Sequence, residues 1–408
     1  MVDSDSENGD VKKELDLSSS DVVTKYKAAA EISNKAVAAI VALIKDGARI
    51  VELAKLGDST INQEVAKSFK GKNMEKGVAF PTCVSVNHIV GHFSPLSDDT
   101  ATLKEGDLVK IDLGVHIDGF IATQATTVVV AADAAAPVTG RAADAIAAAR
   151  MAYEAAQRLI RPGKKVSEVS AVLNKIVEAY GCTLVEGVMT HQLKQFVIDG
   201  SKCVLNRPTP EHKVEDAEFE ENEVYAIDIV VSSGEGKPKI HDEKDTTVYK
   251  RALEITYNLK MKTSRAVFSE ITSKFPTMPF TLRALVTSPE STDAAAAVAA
   301  KPAAGKDKEV SAVQLRLGMV ECLNHGLLHG YPVLHEKPGE FVAQFKGTVL
   351  LMPNGSDVVT KAPASQTITS EKRCDDAEVA ALLATSLKKS KPKKKKASKG
   401  EETAVEAE

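Results

Sequence analysis

The stretch Leu108-Val109-Lys110-Ile111-Asp112-Leu113-Gly114, the turn residues His116-Ile117-Asp118-Gly119 and the run Phe120-Ile121-Ala122-Thr123 read together as a β-hairpin. Side chains alternate along a strand, so Ile111, Leu113 and Val115 share one face and Lys110, Asp112 and Gly114 the other. A two-residue turn within His116–Gly119 sets Asp112 opposite Thr123 or Ala125. Both alternatives are uncharged. A metallohydrolase hairpin would carry acids on both strands here, because two hard cations held a few ångströms apart need several carboxylates to balance them. Asp112 has no such partner, and a threonine hydroxyl cannot bridge metals in its place.

With 408 residues, 43% of them apolar, the chain is long enough for one large domain or two ordinary ones with a sizeable core. Its five cysteines are odd in number, scattered and without a CxxC pair. That argues against a disulfide framework or zinc knuckle and for a reducing compartment. The start of the chain carries Asp3, Asp5, Glu7 and Asp10, with neither the basic segment nor the apolar run of a secretory signal. No window nears the roughly 18 apolar residues of a membrane span. These features are expected of a protein of cytoplasm and nucleus.

Residues 1–19 are charged and Ser-rich without hydrophobic periodicity and read as disordered. Asp21 then caps a helix predicted to run to about residue 44, and a second helix is predicted over about 56–69. A β-like run over 80–87 leads to the hairpin. The Ala-rich run 141–159 predicts a helix stopped by Pro162-Gly163, and another follows over about 166–180. Strands are predicted at 223–231 and 341–351. Helices followed by strands, repeated once, imply an α+β domain of two similar halves rather than a doubly wound sheet. Residues 288–308 are rich in Ala, Pro and Lys and read as a surface insertion. Beyond about Lys361 the core signal ends, leaving a tail over 361–408 with a short helix at 375–387 and a lysine run.

Several longer runs match a known family. Phe80-Pro81-Thr82, Lys110-Ile111-Asp112-Leu113-Gly114, Glu223-Val224-Tyr225-Ala226-Ile227-Asp228 and Ala343-Gln344-Phe345 resemble landmarks of type II methionine aminopeptidases. Val22-Val23-Thr24-Lys25-Tyr26-Lys27, His191-Gln192-Leu193-Lys194-Gln195, Val231-Ser232-Ser233-Gly234-Glu235-Gly236-Lys237 and Met278-Pro279-Phe280-Thr281-Leu282-Arg283 are similar to a non-enzymatic branch, the proliferation-associated (ErbB-receptor-binding) protein family. The resemblance covers about residues 20–360. It implies the pita-bread fold of creatinases and methionine aminopeptidases, two pseudo-symmetric halves around a central site, with a helical insertion over about 250–330.

Carried over residue by residue, the peptidase's first ligand Asp falls on Asp112 and its ligand His on His191. The second Asp falls on Thr123, and one ligand Glu falls on the shorter Asp228. The last ligand Glu falls on Lys346, which reverses the charge. Two substrate-facing histidines fall on His92 and Asp199. The resemblance therefore implies a degenerate metal site with no catalytic residues, no metal and no cofactor. An ammonium at 346 repels Mn²⁺ or Co²⁺ and can pair with Asp112 or Asp228. Such a pair within about 4 Å, at an effective dielectric near 20, is worth about 4 kcal/mol before desolvation. Lys346 is thus expected to fill the place of the metals.

Without the resemblance, Asp112 reads as a strand acid bonded to backbone amides and His191 as a packed, hydrogen-bonded histidine. His88 and His92 are four apart, but Ser94-Pro95 follows at once and argues against a helical zinc pair. Ser232-Ser233-Gly234-Glu235-Gly236 lacks the Lys-Ser/Thr and the helix of a phosphate loop.

Charge is segregated despite a net −4. Lys388, Lys389, Lys391, Lys393, Lys394, Lys395, Lys396 and Lys399 fall in a stretch without an acid. Such a run suits nucleic-acid phosphates with counterion release and looks like a nuclear or nucleolar localisation signal; its bland reading is a solubilising tail. Lys67, Lys70, Lys72 and Lys76, and then Lys250, Arg251, Lys260, Lys262, Arg265 and Lys274, form two further basic segments. With no RNP-type aromatic motif in view, binding by shape and phosphate is expected.

The resemblance implies the partners: the large ribosomal subunit near the tunnel exit, rRNA and other structured RNA. It implies shuttling between nucleolus and cytoplasm, and roles in ribosome biogenesis, translation regulation and growth control. It also implies signalling or transcription partners, although the family's C-terminal LxxLL helix is here Val379-Ala380-Ala381-Leu382-Leu383, with Val for the first Leu. The rival readings are a residual methionine aminopeptidase around Asp112, His191 and Asp228, and a signalling or transcription scaffold. A monomer without membrane insertion is expected, since no heptad pattern or extended apolar face stands out.

Overall fold

The computed structural model describes residues 15–133, 135–209, 214–286, 312–363 and 366–388. Most of the predicted disordered start, the low-complexity stretch at 288–308 and the lysine run from Lys389 onward lie outside the described residues. Among those described, no helix is long and apolar enough to cross a membrane.

The first half opens with α1 (Ser20–Val41) and α2 (Ile50–Lys67), followed by β1 (Lys76–Val86), β2 (Leu108–Ile117) and β3 (Phe120–Val129). The second half repeats the order with α3 (Gly140–Leu159), α4 (Ser167–Ala179), β4 (Met189–Leu193), β5 (Cys203–Leu205), β6 (Val224–Ser232) and β7 (Val342–Met352). These strands form one antiparallel sheet in the order β1-β2-β3-β7-β6-β4-β5. Alternation decides the two faces. Ile111, Leu113 and Val115 pack with Ala29, Ala36, Val37 and Ile40 of α1. Ile227, Ile229 and Val231 pack with the alanines of α3, among them Ala148, Ala149 and Ala152. The opposite face of the sheet carries Asp112, Asp228 and Lys346.

The β2–β3 hairpin turns on Asp118 (φ 54°) and Gly119 (φ 77°), the pair of left-handed residues that a tight two-residue turn requires. The resulting register sets Asp112 opposite Ala125, and Thr123 opposite Gly114.

Four differences from the sequence reading have physical causes. Helix α2 begins at Ile50 rather than near 56, because Gly57 interrupts the pattern yet lies where a side chain would collide with Thr82 of β1. Leu17 is buried just before α1, so the last residues of the predicted disordered start are packed. The insertion is not helical alone. Val248–Arg251, Phe280–Thr281 and Leu328–Tyr331 make a small sheet under α5 (Lys262–Lys274) and α6 (Ala312–Asn324), with Tyr249, Phe280 and Leu328 in the apolar filling. Finally, the core does not end at Lys361. Ile368 and the short helix α7 (Ala377–Leu383), capped by Asp376, return to the α3–α4 cluster and bury Val379. Segments this short carry too few periods to register as core in a sequence.

Candidate functional site

Strand registers build the centre. Asp112 on β2 faces Ala125 on β3, Ala125 faces Lys346 on β7, and Lys346 faces Asp228 on β6. These four residues form one row across the seam between the halves. Ala125 is small enough for the lysine chain to cross to the far acid. Lys346 Nζ lies 2.8 Å from Asp112 Oδ2 and 2.9 Å from Asp228 Oδ2. The three side chains are only 10%, 8% and 10% exposed for Lys346, Asp112 and Asp228. Burial works against the lysine's charge, but the two carboxylates outweigh it and hold the ammonium above the ordinary lysine range.

Other groups fix this triad. Gln344 Nε2 donates to Asp228 Oδ1 at 2.9 Å and lies 3.4 Å from Asp112 Oδ2. The Asp228 amide donates to Thr190 Oγ1, and Asn206 Nδ2 donates to the Asp228 carbonyl. The Phe80 ring centroid is 5.7 Å from Lys346 Nζ, a cation–π contact. Gln344 enters the sequence reading only within the run Ala343-Gln344-Phe345 and without a site role, although it lies two positions before Lys346 and therefore on the same strand face.

The remaining site positions line a cavity of about 330 Å³ above the triad, walled also by Phe80, Val90, Ile198 and Tyr331. Thr123 and His191 are on its floor. Burial and then the Lys346 charge push His191 down to about 4, so its ring is neutral at pH 7. His92 is held with Nδ1 3.0 Å from the Pro332 carbonyl, and burial lowers its pKa. Asp199 is at the exposed rim, paired at 2.5 Å with Lys250.

The donor set does not fit the pair of metals that such a hairpin would serve. The carboxylates that would bind them already share one ammonium, Thr123 offers no charge, and Lys346 adds one of the wrong sign. Among the described residues no group of three or more His, Cys, Asp or Glu could hold a metal ion.

The basic segments are less free than their composition implied. Lys250 is committed to Asp199, and Lys67 and Lys274 pair with Glu64 and Glu270. Lys76 donates to the Ser68 carbonyl, and Lys72 lies over the Phe69 ring. Arg251 and Arg265 donate to backbone carbonyls of Pro276, Leu259 and Lys260. Lys70, Lys260, Lys262 and Lys388 are exposed.

Comparison with known proteins identifies the family and the fold. Residues 24–255 match metallopeptidase family M24. A potato (Solanum tuberosum) protein named ErbB-3 binding protein 1 is 51% identical over 395 residues, 96% of this chain and 95% of its own length. Proliferation-associated protein A of Dictyostelium discoideum is 45% identical over 386 residues, 94% of this chain and 93% of its own. The solved structure of a thermophilic Arx1 superposes with a TM-score of 0.79 at 28% identity, covering 91% of this chain and all of that one. The chain belongs to metallopeptidase family M24, with its pita-bread fold, and within it to the proliferation-associated, ErbB-3-binding branch.

Proposed function

We propose that this chain is a non-hydrolysing member of the family that docks on the large ribosomal subunit near the tunnel exit and binds structured RNA. Its work is then in ribosome biogenesis, translation regulation and growth control, in nucleus, nucleolus and cytoplasm. The observation that carries the non-hydrolytic part is Lys346, whose ammonium occupies hydrogen-bonding positions on both Asp112 and Asp228. A residual peptidase around Asp112, His191 and Asp228 would have to displace that ion pair to load a metal. Support for the docking part comes from the exposed Lys70, Lys260 and Lys262 and from the lysine run 388–399. Contacts of that kind are made to phosphates and weaken steeply with salt. A second reading, a signalling scaffold, is favoured by the potato relative's name, which says that it binds ErbB-3.

Two measurements separate the readings. Purified chain incubated with Met-initiated peptides and Mn²⁺ or Co²⁺ should release no methionine; release proportional to protein would defeat the non-hydrolytic assignment. In co-sedimentation with large subunits over a salt series, log affinity should fall linearly with log salt, and deletion of 388–399 should flatten the slope. A chain that stays in the supernatant at low ionic strength would reject ribosome docking and leave the scaffold.

A further inference from the structure

The cavity has a roof that the site chemistry does not explain. It is a three-stranded sheet of Ile89–Gly91, Leu334–His335 and Lys239–Ile240, with Leu334–His335 in the middle. Its ladders are short: Leu334 pairs with Gly91 and Ile240, and His335 with Ile89 and Lys239. Val90, Gly91, His92 and Leu334 line the cavity directly. What seats the roof is a small apolar cluster, Val90 and Leu334 against Val185, Val230 and Val342.

Each strand of this roof brings a histidine to one place. His88 immediately precedes the first strand, His335 ends the middle one, and His241 immediately follows the third. The His88 and His335 ring centroids are 5.7 Å apart, and those of His241 and His335 are 5.6 Å apart. His335 Nε2 is buried without a hydrogen-bond partner among the described residues.

The surrounding charges do little to offset a proton there. Lys110 faces His88 from β2, its Nζ donating to the Asn87 carbonyl at 2.9 Å. Asp107 is committed to the Asn87 amide and the Lys104 backbone. Glu336 is tied to Ser232 Oγ and to the Gly236 and Lys337 amides. Lys239 is the ladder neighbour of His335. Asp245, on the short turn Glu243–Asp245, is the acid that acts on His335.

We propose that His88, His335 and His241 form a pH-sensitive latch on the cavity roof, in which the neutral rings let the small sheet seat and protonation lifts it to open the cavity. Imidazolium rings on His88 and His335, 5.7 Å apart and half-buried, repel one another, and only a few backbone pairings hold the small sheet against that repulsion. Burial, then Lys110 and His241, lowers His88; burial, then His88 and His241, lowers His335. A base whose pKa is depressed in the closed form binds protons more tightly in the open one. Opening therefore increases as pH falls below the ordinary histidine value of about 6.5.

Amide hydrogen exchange on the full chain at pH 7.5, 6.5 and 5.5, corrected for intrinsic rates, tests the latch. Protection of residues 89–91 and 334–335 should fall about tenfold or more between pH 7.5 and 5.5 as the small sheet opens. Strands β2 and β6 should be unchanged. The His335→Gln variant should lose most of that pH response. His241→Gln, at an exposed position, should lose part of it and serves if His335→Gln fails to fold. Equal protection at both pH values, an unaltered response in His241→Gln, or a uniform loss across the main sheet would overturn the proposal.

Discussion

Asp112 and Asp228 lie in opposite halves of the sheet and reach the same lysine by different routes. Asp112 is on a hairpin whose register is set locally by two left-handed turn residues, Asp118 and Gly119. Asp228 meets Lys346 across β6 and β7, strands that the whole insertion separates in sequence. Pairing of the second kind must first meet the entropy of closing a long loop, and it relies on helix packing to hold its register. Between the halves, β3 and β7 share one registered pair among the described residues, Lys346 with Ala125. The charged triad therefore lies on the seam between the halves. Lys346, a residue of the long-range half, links the two by pairing with an acid from each.

The largest test of this contrast is at the seam. Lys346→Met leaves two buried carboxylates facing each other and should cost about 3–5 kcal/mol in urea unfolding at pH 7. At least one carboxyl then has a folded pKa above its unfolded value near 4. The folded state gains protons, so the deficit should be greatest above neutrality and shrink as pH falls towards 4. An unchanged midpoint would mean that apolar contacts alone hold the halves together.

The long-range half is tested next. A side chain at Gly347 on β7 would run into the Tyr153 hydroxyl of α3 and come within 2.7 Å of Thr360 Oγ1. Gly347→Ala should cost about 1–3 kcal/mol by overpacking and should weaken the contact between α3 and the sheet. The local half should yield less. Gly119→Ala meets the left-handed turn (φ 77°) and the Phe196 ring at 2.6 Å, but the ring can move, leaving a cost of about 1 kcal/mol. If Gly119→Ala proves the more damaging of the two, local turn chemistry rather than distant packing sets the stability of the sheet.

Much of the scaffold was legible because its signals are local. The hairpin follows from alternation plus Asp118-Gly119, and the Ala-rich run of α3 follows from propensity. That Asp112 lacks an acidic partner followed from either register, since Thr123 and Ala125 are both neutral. Lys346 as the counter-charge was legible only through resemblance, because nothing near it in sequence marks it as facing two acids. Gln344, legible only as part of a family run, carried no sign of a site role for the same reason. The basic segments misled in the opposite way. A run such as Lys250-Arg251 reads as a free patch, yet Lys250 is bound to Asp199 and Arg251 to a carbonyl, partners distant in sequence. The return of Val379 to the core was hidden by the shortness of its helix.

The chain's own order of residues determined which side chains share a face, where the hairpin turns and that Asp112 has a neutral neighbour across it, since each depends on periodicity or on one residue's backbone freedom. Tertiary structure alone decided which charges meet. Bringing Lys346 within 3 Å of both Asp112 and Asp228 takes four strands in register across two halves. That register comes from apolar packing on the far face of the sheet, which carries no charge signal for a reader of the sequence to follow.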